Sequence, residues 1–172
     1  MRLTILVSLA LAIPLSLTAC GGTDTTETSG GDGACFDYAS FNGMTPAVAF
    51  QADVLPIFRN SCGLSASCHG MQGGPIAQPF LGPPNSAGTA SQTDIDAIFA
   101  TIYDASVKEP NMKIVTPNDP ANSFLMHKMD NSLKCETLTC GGNCGGSMPL
   151  GGAILAQDQR DTVRRWIAQG AK

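Results

Sequence analysis

The chain has 172 residues, a formal net charge of −4 and only 14% charged residues. This length is enough for one domain and short for two. Its acidic balance, without a cluster of lysine and arginine, argues against nucleic acid as a partner. The 19 glycines and 11 prolines predict long stretches without regular structure. Seven cysteines, seven methionines and two histidines remain as candidate ligands for a soft metal or cofactor.

The N-terminus has the pattern of an export signal. Arg2 supplies a positive end, and residues 3 to 19 carry no charge. The ending Leu-Thr-Ala-Cys at residues 17 to 20 resembles a bacterial lipobox, in which the cysteine becomes the lipidated first residue. This resemblance implies a signal peptide over residues 1–19 and a lipid anchor at Cys20. The protein would then sit in the cell envelope, on the periplasmic side or in the outer membrane. An ordinary signal peptide with a chance cysteine is the alternative.

A polar segment follows the predicted anchor. Residues 21 to 33 contain glycine, threonine, serine and acidic residues but no apolar side chain, so they lack the surface needed to form a core. We therefore expect a flexible, disordered tether over residues 20–34 and a folded domain over residues 35–172.

Four helices are predicted in the folded domain, and no segment alternates convincingly enough to be a strand. The first covers residues 50 to 59, with Asp53 as a possible N-cap and Pro56 in the first turn. The second follows the capping-box sequence from Ser91 to Asp94. A short helix opened by Asp119 and Pro120 runs to residue 129, and the last covers residues 157 to 169. Irregular loops are expected at residues 70 to 90 and 135 to 152, so the sequence predicts a small, mostly α domain with long loops.

The candidate chemistry follows the first helix, where Cys62 precedes the pair Cys68 and His69. This pair resembles the haem-attachment site of c-type cytochromes, in which cysteine thiols form thioethers with the haem and the adjacent histidine ligates the iron. The usual spacing is Cys-x-x-Cys-His, but Ser65 occupies the expected position of the first cysteine. A disulfide between Cys62 and Cys68 is therefore a competing interpretation.

Three later landmarks occur in the order expected of a cytochrome. Met148 precedes Pro149, as in the distal loop of these proteins, and Trp166 lies in a segment similar to their C-terminal helix. Residues 115 to 125 resemble the segment before the distal loop. Residues 50 to 171 thus resemble a cytochrome c-like domain of secreted bacterial lipoproteins. The resemblance implies one covalent haem c, attached at Cys68 and Cys62, with His69 and Met148 as axial iron ligands. It further implies an electron carrier that serves a redox partner protein, rather than an enzyme.

Other side chains have plainer interpretations. His127 is expected to be a surface histidine, although it is the only alternative for a two-histidine haem site. The methionines at positions 44, 71, 112, 126 and 129 are expected in the core or on the surface. A zinc site made of Cys62, Cys68, His69 and a later cysteine would need reduced thiols outside the cytoplasm. Nucleophilic catalysis by the Cys-His pair lacks an orienting group.

The number of cysteines separates two hypotheses. Without Cys20 six cysteines remain, so two haem thioethers leave two disulfides, whereas a haem-free protein permits three. A disulfide at Cys35 would attach the end of the tether to the domain, and one among Cys135, Cys140 and Cys144 would brace the loop before Met148. The alternative function is a haem-free, disulfide-linked surface lipoprotein with a binding or assembly role.

Overall fold

The computed structural model describes residues 35–74, 79–135 and 138–172. The predicted signal peptide, the lipid anchor at Cys20 and the tether lie outside these residues. The described residues form four α-helices, and within them only isolated β-bridges occur, with no strand. The helices are α1 (Leu55–Ser61), α2 (Gln92–Thr101), α3 (Phe124–Met129) and α4 (Gln157–Ala168). The prediction of a mostly α fold is confirmed. None of the helices found in the described ranges has the length and hydrophobicity needed to cross a membrane.

The first helix begins differently from the prediction. A π-helical turn, Phe50–Val54, precedes α1, so Asp53 lies inside the helical segment and is not its N-cap. The Asp53 carboxylate instead accepts the backbone N–H of Ala49 at 2.8 Å and so still binds an otherwise unpaired donor at the helix start. Pro56 lies in the first turn of α1, as predicted, where the missing N–H does no harm.

The capping box of α2 is confirmed. The hydroxyl of Ser91 accepts the backbone N–H of Asp94 at 3.2 Å, and the Asp94 carboxylate accepts the N–H of Ser91 at 2.8 Å. Together they pair two of the free donors at the N-terminus of α2. Ile95 and Ile98 on the inner face of this helix are buried in the main core.

The predicted helix over residues 119 to 129 is divided in two. Asp119 caps a 3₁₀ turn, Pro120–Asn122, by accepting the N–H of Asn122 at 3.2 Å, and α3 begins only at Phe124. Ser123 between them is extended, and its hydroxyl donates to the carbonyl of Asp119 at 2.8 Å. This side-chain bond competes with helical pairing and redirects the chain before α3.

The core is built around α4, which packs against the π turn and against α3. Val163, Trp166 and Ile167 are buried on one face of α4, as the helical spacing predicts. The Trp166 ring lies 5.3 Å from the ring of Phe50 and 6.1 Å from that of Phe58, measured between centroids. Because such aromatic rings bury large apolar areas, this cluster fixes α1 and α4 relative to each other.

The N-terminal segment of the described chain is attached to this core at two places. A disulfide joins Cys35 to Cys135, as expected for a cross-link at the end of the tether. At the other end of the segment, the Gln169 amide accepts the N–H of Val48 at 2.9 Å and donates to the carbonyls of Gly43 and Pro46. These contacts hold the segment from Cys35 to Val48 against the rest of the described chain.

Candidate functional site

A cavity of about 350 Å³ brings the main candidate residues together. Its lining is largely apolar, with side chains contributed by the segments after α1 and after α2, by α3 and by the glycine-rich loop, residues 138–152. The lining residues include Cys62, His69, Leu81, Val107, Lys108, Ile114, Phe124, Leu125, Lys128, Met129, Met148 and Leu150. Its volume falls in the range of about 300–1,000 Å³ that is common for small-molecule and cofactor sites.

The ring of His69 is oriented by a backbone contact. Its Nδ1 lies 2.8 Å from the carbonyl oxygen of Pro79, and a carbonyl only accepts, so Nδ1 carries the proton. The lone pair is then on Nε2. Burial lowers the pKa of His69, and the charge of Lys128 lowers it further, which favours the neutral ring. A neutral imidazole whose second nitrogen donates to a carbonyl is the usual arrangement of a histidine that ligates a metal.

The five residues between Cys62 and Cys68 fold into a closed loop. The N–H of His69 donates to the carbonyl of Cys62 at 3.0 Å, which brings the two ends of the loop together. Gly70 is required for this closure, since a Cβ atom there would lie 2.6 Å from the carbonyl oxygen of Gly63. The longer spacing thus still places Cys62 at the cavity that His69 lines.

Cys68 is the one predicted site residue outside the cavity lining. It is half-buried, and its sulfur accepts a hydrogen bond from the Ser65 hydroxyl at 3.5 Å. Of the two predicted attachment residues, Cys62 lines the cavity and Cys68 does not.

The six cysteines that the structure describes form two disulfides and leave two free thiols. Besides the bond between Cys35 and Cys135, a disulfide joins Cys140 to Cys144, and Cys62 and Cys68 are unpaired. Cys62 and Cys68 therefore do not form the disulfide that was the competing interpretation. Burial raises the pKa of Cys62 to about 12, with a further increase from Cys68. Cys62 is therefore a protonated thiol at neutral pH, unsuited to nucleophilic catalysis.

The structure places no zinc ligand set around these thiols. Within the parts of the chain that the structure describes, no group of three or more His, Cys, Asp or Glu side chains is placed to share a metal ion. The later cysteines that such a site would need are held in the two disulfides.

Met148 reaches the cavity from the glycine-rich loop. Its side chain is half-buried, and its backbone N–H donates to the carbonyl of Lys128 at 2.8 Å. His69 and Met148 are 79 positions apart in the sequence and line the same cavity. The geometry thus brings together three of the four residues predicted to hold a cofactor.

Among the lining residues that the sequence did not assign to the site, Met129 and Lys128 have side chains able to bind a metal or a backbone carbonyl. Met129 has a thioether like that of Met148, but it lies on α3 and is buried in the main core. Lys128 contacts the glycine-rich loop through both its backbone and its side chain. The helical spacing of α3 places residues 125, 128 and 129 on adjacent positions of one face, which is the signal that could have identified them.

The prediction for His127 is wrong, because this histidine is buried. Its Nδ1 lies 3.1 Å from the hydroxyl of Ser132, and its Nε2 lies 3.1 Å from the carbonyl of Ala121. Both ring nitrogens are therefore engaged, and His127 is not part of the cavity lining. It holds the end of α3 against the preceding turn.

Glu109 anchors the start of the glycine-rich loop. Its carboxylate is buried and accepts the backbone N–H groups of Thr139 and Cys140 at 2.7 and 2.6 Å. These bonds lower the pKa of Glu109, the one from Cys140 most strongly. They also hold the loop that carries Met148 to the segment that carries Val107 and Lys108.

This anchor predicts a pH dependence of stability. A carboxylate whose pKa is lowered by folding stabilises the protein above its unfolded pKa of about 4.3, and this contribution is lost as the pH falls through the folded pKa. We expect the free energy of unfolding, measured in urea, to decrease below about pH 4 and to decrease less in Glu109→Gln. Replacing the exposed Asp96 by asparagine is the matched control. Equal acid sensitivity of wild type and Glu109→Gln would contradict the role of the Glu109 carboxylate in stabilising the loop.

No family model, no curated protein and no solved structure matches this chain.

Proposed function

We propose that the protein is an electron carrier with a cytochrome c-like domain that holds one covalent haem c in this cavity. The observation that carries the proposal is the presence of His69, Met148 and Cys62 in the lining of one apolar cavity. The donor set fits the group, since imidazole nitrogen and thioether sulfur are the ligands of low-spin haem iron in such proteins. The apolar lining fits it as well, because a tetrapyrrole is largely apolar.

Each residue has a defined role in this proposal. His69 would bind the iron through Nε2, with its orientation set by the carbonyl of Pro79. Met148 would supply the second axial ligand, a soft sulfur that favours the reduced iron and raises the reduction potential. Cys62 and Cys68 would hold the haem through thioethers. When bound, the iron supplies a one-electron couple, and the protein forms or breaks no substrate bond.

The cavity has an apolar edge that is open to a partner. Val107 and Leu150 line it and are 63% and 75% exposed. Electron transfer to a redox partner protein would occur across this edge. The lipid anchor proposed at Cys20 would hold the domain at a membrane surface of the cell envelope, with the tether allowing it to reach the partner.

Mass spectrometry of the protein produced with a haem-maturation system tests the proposal. We expect the mature chain to carry the added mass of one haem, retained after denaturation, with a reduced pyridine-haemochrome spectrum. A colourless protein without this added mass, and with a third disulfide between Cys62 and Cys68, would contradict the proposal. That result would favour the alternative, a haem-free lipoprotein with a binding or assembly role.

Serine variants identify the attachment residues. The double variant Cys62→Ser with Cys68→Ser is expected to lose covalent haem, and each single variant to keep it through one thioether. The matched control replaces Cys140 and Cys144 by serine, which removes a disulfide without touching the free thiols. Covalent haem that survives the double replacement would show that attachment occurs elsewhere.

A further inference from the structure

Lys128 is joined to the Met148 loop by three hydrogen bonds. Its backbone carbonyl accepts the N–H of Met148 at 2.8 Å. Its ammonium group donates to the carbonyl of Cys144 and, at 2.8 Å, to the carbonyl of Gly146. One residue of α3 thus holds both ends of the segment from 144 to 148.

This segment has few other constraints of its own. It contains no regular helix, and Gly145 has φ +72°, in the left-handed region that few other residues adopt. A Cβ atom at Gly145 would lie 3.2 Å from Nζ of Lys128, so the ammonium group lies directly against the loop backbone. Upstream, the disulfide between Cys140 and Cys144 closes the preceding turn. Cys144 also packs against the buried cluster of Met112 and Phe124, and the hydrogen bonds of Lys128 link the rest of the segment to α3.

The ammonium group also stays at the cavity despite an unfavourable environment. Burial lowers the pKa of Lys128, and the nearby charge of Lys108 lowers it further. The Nζ atom lies 5.2 Å from the centroid of the Phe124 ring, a favourable cation–π contact. Its bonds to two carbonyls are charge-assisted and therefore stronger than neutral ones. These contacts offset the loss of hydration and fix the side chain against the loop.

We propose that Lys128 is the positioning residue for Met148: its ammonium group holds the loop so that the Met148 thioether stays at the cavity. The inference rests on the proposed function in one respect, because that function identifies haem iron as the group that Met148 binds. Loss of the ammonium group would leave the carbonyls of Cys144 and Gly146 to solvent and free the loop to move away from α3.

Hydrogen–deuterium exchange of the loop, measured on the protein as purified, tests this inference without reference to haem. In Lys128→Met we expect amides of residues 144 to 148 to exchange about tenfold faster than in wild type, because two charge-assisted bonds are lost. Lys128→Arg keeps a cation with several donors and should restore most of the protection. Lys134→Met, an exposed lysine beside the same loop, is the matched control and should leave exchange unchanged.

A second readout follows the iron ligand. In the haem-containing protein, Lys128→Met should lose most of the absorption band of methionine-ligated ferric iron at neutral pH, while covalent haem remains and Lys128→Arg keeps the band. If Lys128→Met does not fold, Lys128→Gln, which retains donors without the charge, should show both effects to a smaller extent.

The two proposals fail in distinguishable ways. A wild type without haem refutes the electron-carrier function and leaves the exchange result to decide on Lys128. Unchanged exchange in Lys128→Met and Lys128→Gln refutes the positioning role, whether or not haem is bound. Faster exchange with an undiminished methionine band also overturns it, because the loop would then move without displacing Met148.

Discussion

In the proposed haem-containing protein, replacing Met148 by leucine is expected to abolish the absorption band of methionine-ligated ferric iron while the covalent haem stays in place. Leucine keeps the volume of the side chain but has no sulfur, so folding should change by less than about 1.5 kcal/mol. Without the soft sulfur, the reduced iron loses its preferred ligand, and the reduction potential should fall by on the order of 0.1 V. Absorbance spectra and a potentiometric titration measure the two effects.

Met129 provides the matched control for this experiment. It is the other thioether in the cavity lining, and Met129→Leu should keep the band and the potential close to those of wild type. The reverse pattern, with the band lost in Met129→Leu and kept in Met148→Leu, would assign the distal ligand to α3. Loss of covalent haem in Met148→Leu would mean that the residue acts in attachment or folding rather than as a ligand.

The parts of the fold that were predictable are those that short-range patterns determine. The capping box at Ser91 and the apolar stripe of α4 depend on residues within one or two turns, and both predictions are confirmed. The π turn before α1 and the break at Ser123 were not predicted. At Ser123 the side-chain hydroxyl pairs with the backbone carbonyl of Asp119 in a way that competes with a regular helix.

The candidate site was also predictable from the sequence only in part. The order of His69 and Met148 along the chain suggested that they belong to one site, and the cavity contains both. The closure of the loop between Cys62 and His69, the burial of His127 and the role of Lys128 each depend on contacts with distant backbone carbonyls or on tertiary packing. No periodicity in one sequence encodes such contacts, because they arise only when separate segments pack.

A cluster of buried charges connects α4 to the end of α3. Asp130 is fully buried, and its carboxylate accepts bonds of 2.7 Å from Arg160 and of 2.7 and 2.8 Å from Arg164. The guanidinium group of Arg164 also lies 3.6 Å from the centroid of the Phe36 ring. Asp130 directly follows α3, whose residues line the cavity, so this cluster determines where α3 sits relative to α4.

Asp130→Asn is therefore expected to produce the largest loss of stability of any single substitution considered. The change removes the buried negative charge that Arg160 and Arg164 share, and removing one partner of a buried ion pair costs about 3–5 kcal/mol. Urea unfolding at pH 7 measures the loss.

Asp161→Asn is the matched control, since Asp161 also pairs with Arg164 but is partly exposed and leaves Asp130 in place. Its cost should be well below that of Asp130→Asn. If the two substitutions cost the same, or if Asp130→Asn costs less than about 1 kcal/mol, the buried charges do not hold α3 against α4. The position of the cavity would then depend on the apolar packing of α3 in the main core, through Leu125, Met126 and Met129.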